Sequence, residues 1–265
     1  MFLNRLKLVV AFFCFLLTFH AAIAQEGDNN AQANNPLANM TALNFQNYFS
    51  PVLTNSPSGT YLNNTWVRFA TPFFDGKTIF RVSAPLTTIN TKQADGTQST
   101  VSGLGDLNAF MAYNFVSSPT ATVGIGPNIT LPTATDPTLG TEKVQAGFAL
   151  VAFVAKSPVF QFGGLITYQA SVAGNAERQD TNGGAVQPFY FWQLGKGAYL
   201  RGAPIWFFNF NEAAYSVPIG LGIGKVVTLG NTVFNLFIEP QYSMLSAGVQ
   251  PQLQIFTGIN LQFVK

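Results

Sequence analysis

Cysteine and histidine are almost absent from this chain. It has one of each among 265 residues, and both Cys14 and His20 lie before residue 24. The rest of the chain therefore offers no disulfide, thiol nucleophile, histidine base or zinc site built on these residues. Carboxylates are present, but no pair of them stands out as a glycosidase pair would. We predict that the protein is not an enzyme and that it uses no metal or other cofactor.

Charge is also scarce. Only 9% of residues are charged, whereas 14% are aromatic, and soluble domains carry about 25% charged residues. The 13 basic residues include Arg5 and Lys7 near the start, so 11 remain beyond residue 24 against 11 acidic ones. This balance argues against a nucleic-acid partner. Scarce charge with abundant aromatics instead favours a surface in contact with lipid.

The first residues have the features of a secretory signal. Arg5 and Lys7 precede an apolar run over 8–19, and Ala22-Ile23-Ala24 matches a small-x-small cleavage site. We predict a cleaved signal peptide over 1–24; an uncleaved anchor is the alternative. Residues 25–40 are rich in Asn, Gln and Ala, which predicts a flexible N-terminal segment. The remaining domain covers 41–265.

Beyond the signal, the chain lacks a second apolar run of 18 or more residues, so a transmembrane helix is not predicted. Apolar and polar residues alternate instead. Over 251–263 the odd-numbered positions are mostly apolar, while Gln252, Gln254, Asn260 and Gln262 occupy even ones. Such a period of two is typical of a β-strand with two different faces. In hydrocarbon, strands can span only as a closed barrel.

Twelve segments show this pattern, and short and long connections alternate between them. Together they predict an all-β fold, a transmembrane antiparallel β-barrel of twelve strands in the bacterial outer membrane. A soluble β-sandwich is the alternative, but it explains neither the scarce charge nor the alternating loops. The predicted strands are 43–49, 62–72, 77–86, 105–116, 121–131, 142–155, 158–172, 185–194, 197–209, 215–228, 232–244 and 251–263, and the long loops include 87–104 and 173–184. Over 185–210 aromatic residues occur on both faces, so the inward face is not assigned.

With the apolar face toward lipid, the polar face lines the lumen. These residues could form a selectivity constriction or contact a ligand; alternatively they form a paired interior network, such as an arginine bound to Glu239 or Asp106. Glycines such as those at 220, 222 and 224 are predicted to relieve crowding inside the wall. The lumen-lining candidates are Arg68, Arg81, Asp106, Asn108, Asn114, Lys143, Gln145, Gln169 and Glu239.

Short strings in a fixed order resemble a family of bacterial outer-membrane proteins, the MetA-pathway of phenol degradation family. They cover 102–107, 124–127, 131–135, 218–222, 238–242 and 258–263. The resemblance implies an outer-membrane barrel that passes small hydrophobic or aromatic compounds, and it implies no catalytic residue. An aromatic residue near the C-terminus serves recognition by the barrel-assembly machinery; here Phe263 is followed by Val264 and Lys265.

We therefore expect a channel or transporter for small, hydrophobic or aromatic molecules, with outer-membrane lipid, a small-molecule solute and the assembly machinery as partners. Aromatic residues such as Phe237 and Phe256 are predicted to point inward, and 25–40 could fold into the lumen as a plug. The alternative is a structural or surface-interaction barrel without transport, acting through the loops 87–104 and 173–184. The sequence does not decide the oligomeric state.

Overall fold

The computed structural model describes residues 33–93 and 95–263. The predicted signal peptide and residues 25–32 lie outside the described residues. Alternating apolar and polar residues, rich in aromatic and β-branched types, form fifteen strands. They are β1 (Thr41–Leu53), β2 (Tyr61–Phe73), β3 (Thr78–Lys92), β4 (Gln98–Leu104), β5 (Leu107–Ser117), β6 (Ala121–Leu131), β7 (Lys143–Val154), β8 (Phe160–Gly174), β9 (Asn182–Gly195), β10 (Ala198–Gly202), β11 (Trp206–Asn209), β12 (Ala214–Gly220), β13 (Gly222–Leu229), β14 (Thr232–Ala247) and β15 (Pro251–Phe263).

These strands form one closed antiparallel sheet. Most consecutive strands pair along the chain, and β15 pairs with both β14 and β1, which closes the barrel. Three barrel strands are interrupted, and each is therefore numbered as two segments. The two segments of each pair with the same neighbour: β4 and β5 with β3, β10 and β11 with β9, and β12 and β13 with β14. Fifteen segments therefore make twelve barrel strands, and the predicted fold class is confirmed. Among the described residues no helix is long and apolar enough to cross a membrane.

The two ends of the barrel differ. Thr41 pairs with Phe263, so β1 begins and β15 ends at the same rim. The connections at that rim are short, over 74–77, 118–120, 155–159, 196–197 and 230–231. Those at the opposite rim include the long 132–142. Outer-membrane barrels have short turns on the periplasmic side, so the rim with Thr41 is the periplasmic one.

Two predicted loops are shorter than expected. Within 87–104, β3 continues to Lys92 and β4 begins at Gln98, so this stretch is a β-hairpin. Within 173–184, β8 continues to Gly174 and β9 begins at Asn182. Both hairpins carry polar residues on both faces, and without an apolar face the alternation that marks the other strands is lost.

The wall is apolar outside, whereas its inner face carries both polar and aromatic side chains. On β14 every odd-numbered residue from Val233 to Ser243 is buried, whereas Leu236, Ile238 and Tyr242 are 40–48% exposed. Similar exposed apolar side chains occur around the barrel on the other strands. A surface of this kind is stable in lipid and costly in water.

Candidate functional site

The barrel encloses a cavity of about 160 Å³. Part of its lining is apolar, part is polar, and part comes from the segment that precedes β1. The apolar lining includes Ile79, Phe110, Val151, Leu165, Phe189, Phe191 and Phe256, and the polar lining includes Asn44, Gln46, Arg68, Arg81, Gln187, Arg201, Asn235, Asn260 and Gln262. The cavity therefore presents aromatic surface and cationic groups together.

The segment over 33–40 lies inside the barrel at the periplasmic rim. The carbonyl oxygen of Ala33 accepts hydrogen bonds from Gln262 Nε2 at 2.9 Å and Asn235 Nδ2 at 3.2 Å. Leu37 is buried against the cluster that contains Ile79 and Phe110. These contacts place this part of the predicted flexible segment across the lumen, where it narrows any axial path.

A buried ion pair lies in the wall beside this cavity. Arg201 Nε is 2.8 Å from Glu239 Oε2, and Glu239 is 0% exposed. The other carboxylate oxygen of Glu239 accepts hydrogen bonds from the backbone N–H of Ala203 and from Gln241 Nε2, each at 2.8 Å. Both oxygens of this buried carboxylate therefore have hydrogen-bond donors, as a buried charged group requires.

Aromatic rings surround the guanidinium of Arg201. Its Cζ lies 3.6 Å from the ring centroid of Phe237, 5.1 Å from that of Phe256 and 5.8 Å from that of Phe191. Tyr48 stacks on Phe256 with ring centroids 4.1 Å apart. Cation–π contacts of this kind fix the cation in place and supply an aromatic wall to the lumen.

Arg68 and Arg81 line the same cavity from β2 and β3. Arg68 lies over the ring of Trp66 at 4.8 Å and Arg81 over that of Phe110 at 4.3 Å. Arg68 Nη1 donates to Gln46 Oε1. The Nε atom of each arginine is buried and has no hydrogen-bond partner among the described residues.

Other predicted lumen residues form a belt inside the wall. Asn108 Nδ2 donates to Asn128 Oδ1 at 2.9 Å and to Thr130 Oγ1 at 3.0 Å, and Thr130 Oγ1 in turn donates to Gln169 Oε1 at 3.0 Å. Gly147 lies between Asn128 and Gln169 in the sheet, so that no side chain interrupts the belt. These amides bond to one another and do not line the cavity.

The remaining candidates lie at the two rims. Asn114 Nδ2 donates to the carbonyl of Gly76 in a periplasmic turn at 2.7 Å. At the other rim, Asp106 accepts hydrogen bonds from the backbone N–H and the hydroxyl of Thr141, and so ties down the loop 132–142. Lys143 pairs there with Asp180 at 2.8 Å, and Gln145 donates to Thr141 at 3.2 Å.

Sequence reasoning missed Arg201 and Tyr199, which belong to the stretch left unassigned. Tyr199 is fully buried and donates to Asn235. A usable signal was present, because a Tyr-x-Arg spacing places both polar groups on one face of a strand and a lone inward Glu239 requires a cation.

Next to the ion pair the wall is broken. β10 and β11 pair with β9 in one continuous register. On their other side, β10 pairs with β13 and β11 with β12, again in one continuous register. Between β10 and β11, however, residues 203–205 form no ladder pairs on either side. The register places Pro204 opposite Pro188 on one side and Ile219 on the other. Proline cannot donate to a ladder, which explains why pairing stops where two prolines face each other.

Side chains replace the missing ladder bonds. Ala203 donates its N–H to Glu239 and accepts from Gln187 Nε2 at 3.0 Å. Across the break, the hydroxyl of Tyr190 donates to the carbonyl of Gly220 and the indole of Trp206 to that of Pro218, each at 3.0 Å. The break is therefore held together by side-chain hydrogen bonds, where the rest of the wall has a backbone ladder.

An apolar groove of about 640 Å³ lies on the outer side of this break. Alternation puts neighbouring residues on opposite sides: Gln187 and Ala203 line the cavity, whereas Pro188 and Pro204 line the groove. The cavity and the groove therefore adjoin the break from opposite sides. The groove is lined by Pro188, Tyr190, Pro204, Trp206, Pro218, Ile219, Gly220, Leu221, Pro240, Gln241, Tyr242 and Leu253.

Comparison with solved structures gives the same architecture. The COG4313 outer membrane channel from Pseudomonas putida F1 matches with a TM-score of 0.62 and 12% identity, over 85% of this chain and 94% of that one. The NanC porin matches with a TM-score of 0.51 and 9% identity, over 84% of this chain and all of that one. No protein-family model and no curated protein sequence matches the chain, so the predicted family membership stays a prediction. The shared fold and the apolar exterior identify a twelve-stranded barrel of the bacterial outer membrane.

Proposed function

We propose that this barrel is a channel for small hydrophobic or aromatic molecules, which pass between its cavity and the membrane through the break at 203–205. The break beside an apolar groove carries the proposal. A hydrophobic solute partitions into lipid, and a groove open to lipid receives it without a wide aqueous pore. The segment 33–40, which narrows the axial route, favours the lateral one.

The chemistry of the break suits this role. Backbone groups in lipid must be hydrogen-bonded, and here the partners are the side chains of Tyr190, Trp206, Gln187 and Glu239. Rotation of the first two would open the break at the cost of two side-chain hydrogen bonds, to the carbonyls of Gly220 and Pro218, and no ladder bond would break. The aromatic rings inside the wall, such as Phe189 and Phe191, would then receive an aromatic solute.

A reversible bridge across the break tests the proposal. Residues 25–265 contain no cysteine, so the pair Pro204→Cys and Ile219→Cys can be joined by a short, reducible bifunctional thiol reagent. We expect cells carrying the bridged barrel to take up radiolabelled toluene no faster than cells without the barrel, and reduction to restore uptake. The matched control is Leu200→Cys with Ile223→Cys, a pair opposed in the intact ladder, where the bridge should leave uptake unchanged.

Equal uptake by the bridged and unbridged barrels would exclude the lateral route. If the folded wild-type barrel gave no uptake above the empty membrane, the alternative without transport would be favoured. In that case the polar hairpin of β3 and β4 would be the first surface to examine for a partner.

A further inference from the structure

We infer that Arg68 and Arg81 form a binding site for the carboxylate of a small aromatic acid, whose ring occupies the apolar part of the cavity. This inference rests on the proposed function, because it names the class of solute that the channel holds. It is argued from charge, from hydrogen bonding and from the shape of the cavity.

The cavity carries positive charge that the described residues compensate only in part. Three arginines line it, and among the described residues no acidic side chain does. Arg201 is neutralised by its salt bridge with the buried Glu239. Neither Arg68 nor Arg81 takes part in a salt bridge within the described residues. Buried charge without a counter-ion is costly, so an anion that enters the cavity gains a large electrostatic stabilisation.

The two guanidinium groups are close enough to act together. Arg68 pairs with Ser83 and Ala70 with Arg81 in the register of β2 and β3, which makes the two arginines diagonal neighbours on one face. Diagonal neighbours have Cα atoms about 7–8 Å apart, within reach of long side chains. Each guanidinium is held against a ring, and each buried Nε has no hydrogen-bond acceptor among the described residues. The planar fork of an arginine is suited to a carboxylate.

The rest of the cavity selects the body of the ligand. Phe110 lies under Arg81, and Val151, Leu165 and Phe189 continue the apolar lining beyond it. A cavity of about 160 Å³ is similar in volume to an engineered apolar cavity of roughly 150 Å³ that accommodates benzene. One aromatic ring with a carboxylate at its edge therefore matches the space.

Benzoate and benzyl alcohol provide matched probes, because they differ mainly in the anionic group. We would titrate the refolded mature chain in detergent with each probe by calorimetry at neutral pH. Benzoate should bind, and each of the variants Arg68→Gln and Arg81→Gln should weaken it at least tenfold while leaving benzyl alcohol unchanged. Lys225→Gln is the control, since the Lys225 ammonium is exposed at the periplasmic rim and donates to the carbonyl of Lys196.

Several results would overturn the inference. Equal affinity of benzoate for the wild type and for a folded double variant of Arg68 and Arg81 would do so, as would equal affinity for both probes. Failure of benzoate binding in the wild type with recovery in Glu26→Gln/Asp28→Asn would show that the chain itself supplies the anion. Toluene uptake through the bridged-cysteine assay is independent of these results, so failure of the anion site alone leaves the proposed channel standing.

Discussion

Arg201 and Glu239 are joined at 2.8 Å although a third strand lies between theirs. Arg201 is on β10 and Glu239 on β14, and β13 pairs with both. The pair can form only because the neighbouring positions are glycines, which have no side chain to block the contact. A Cβ on Gly222 would lie 2.6 Å from Glu239 Cβ, and one on Gly220 would lie 2.4 Å from Glu239 Oε1. The ion pair, the glycines and the break in the wall are thus one arrangement.

Removing the anion of this pair should destabilise the barrel. Glu239→Gln leaves Arg201 buried without a counter-ion, and such a loss costs about 3–5 kcal/mol. Urea unfolding of the refolded protein in lipid vesicles measures the change. Glu212→Gln, in an exposed loop, should change the free energy of unfolding little. A Glu239→Gln barrel as stable as the wild type would show that the pair contributes nothing.

Adding one methyl group to β13, the strand between Arg201 and Glu239, should also destabilise the barrel. Gly222→Ala would place a Cβ 2.3 Å from the carbonyl oxygen of Ile238, so that backbone must shift. We expect a cost of about 1–3 kcal/mol, as for overpacking in a core, measured by the same urea unfolding. Gly164→Ala is the matched control, because its nearest atom would be 3.5 Å away. Equal stability of the two variants would contradict the steric account.

The sequence was informative wherever one face of a strand was clearly apolar. The period of two located the twelve barrel strands, and it placed Phe237 and Phe256 on the inward face, where both are buried. It failed over 185–210, because aromatic residues occur there on both faces and the pattern cannot distinguish lumen from lipid. For that reason the sequence did not identify Arg201 as a lumen residue. The prolines were visible in the sequence, but only the register shows that Pro188 and Pro204 face each other.

The loop 132–142 provides a test of pH dependence. In it, the Oγ1 and N–H groups of Thr138 donate to Asp136 Oδ1 at 2.6 and 2.8 Å, and these hydrogen bonds lower the pKa of Asp136 below its ordinary value. A lowered pKa in the folded state stabilises the turn above the unfolded-state pKa, and this contribution is lost as the pH falls through the folded-state pKa. Thr138→Val should raise the pKa of Asp136 toward its ordinary value, which carboxyl carbon NMR titration can follow.

A turn over 95–97, between β3 and β4, supplies the control for that titration. Asp95 makes the same turn with Thr97, and its pKa is lowered for the same reason. In the Thr138→Val protein the pKa of Asp95 should stay where it is. A parallel rise at both positions would point to a general change at that rim and not to the local hydrogen bonds.

Deleting 25–40 should widen the axial path. The described part of this segment lies across the lumen, where Ala33 is bonded to Asn235 and Gln262 and Leu37 is buried. Without it, these polar groups would face water and ions could pass along the barrel axis. We expect larger single-channel conductance in planar bilayers. Deletion of 25–32 alone keeps the contacts over 33–40 and is the matched control, with conductance close to that of the wild type. If both deletions raised the conductance equally, the occluding residues would lie outside 33–40. If the longer deletion left the conductance unchanged, the segment would not close the lumen.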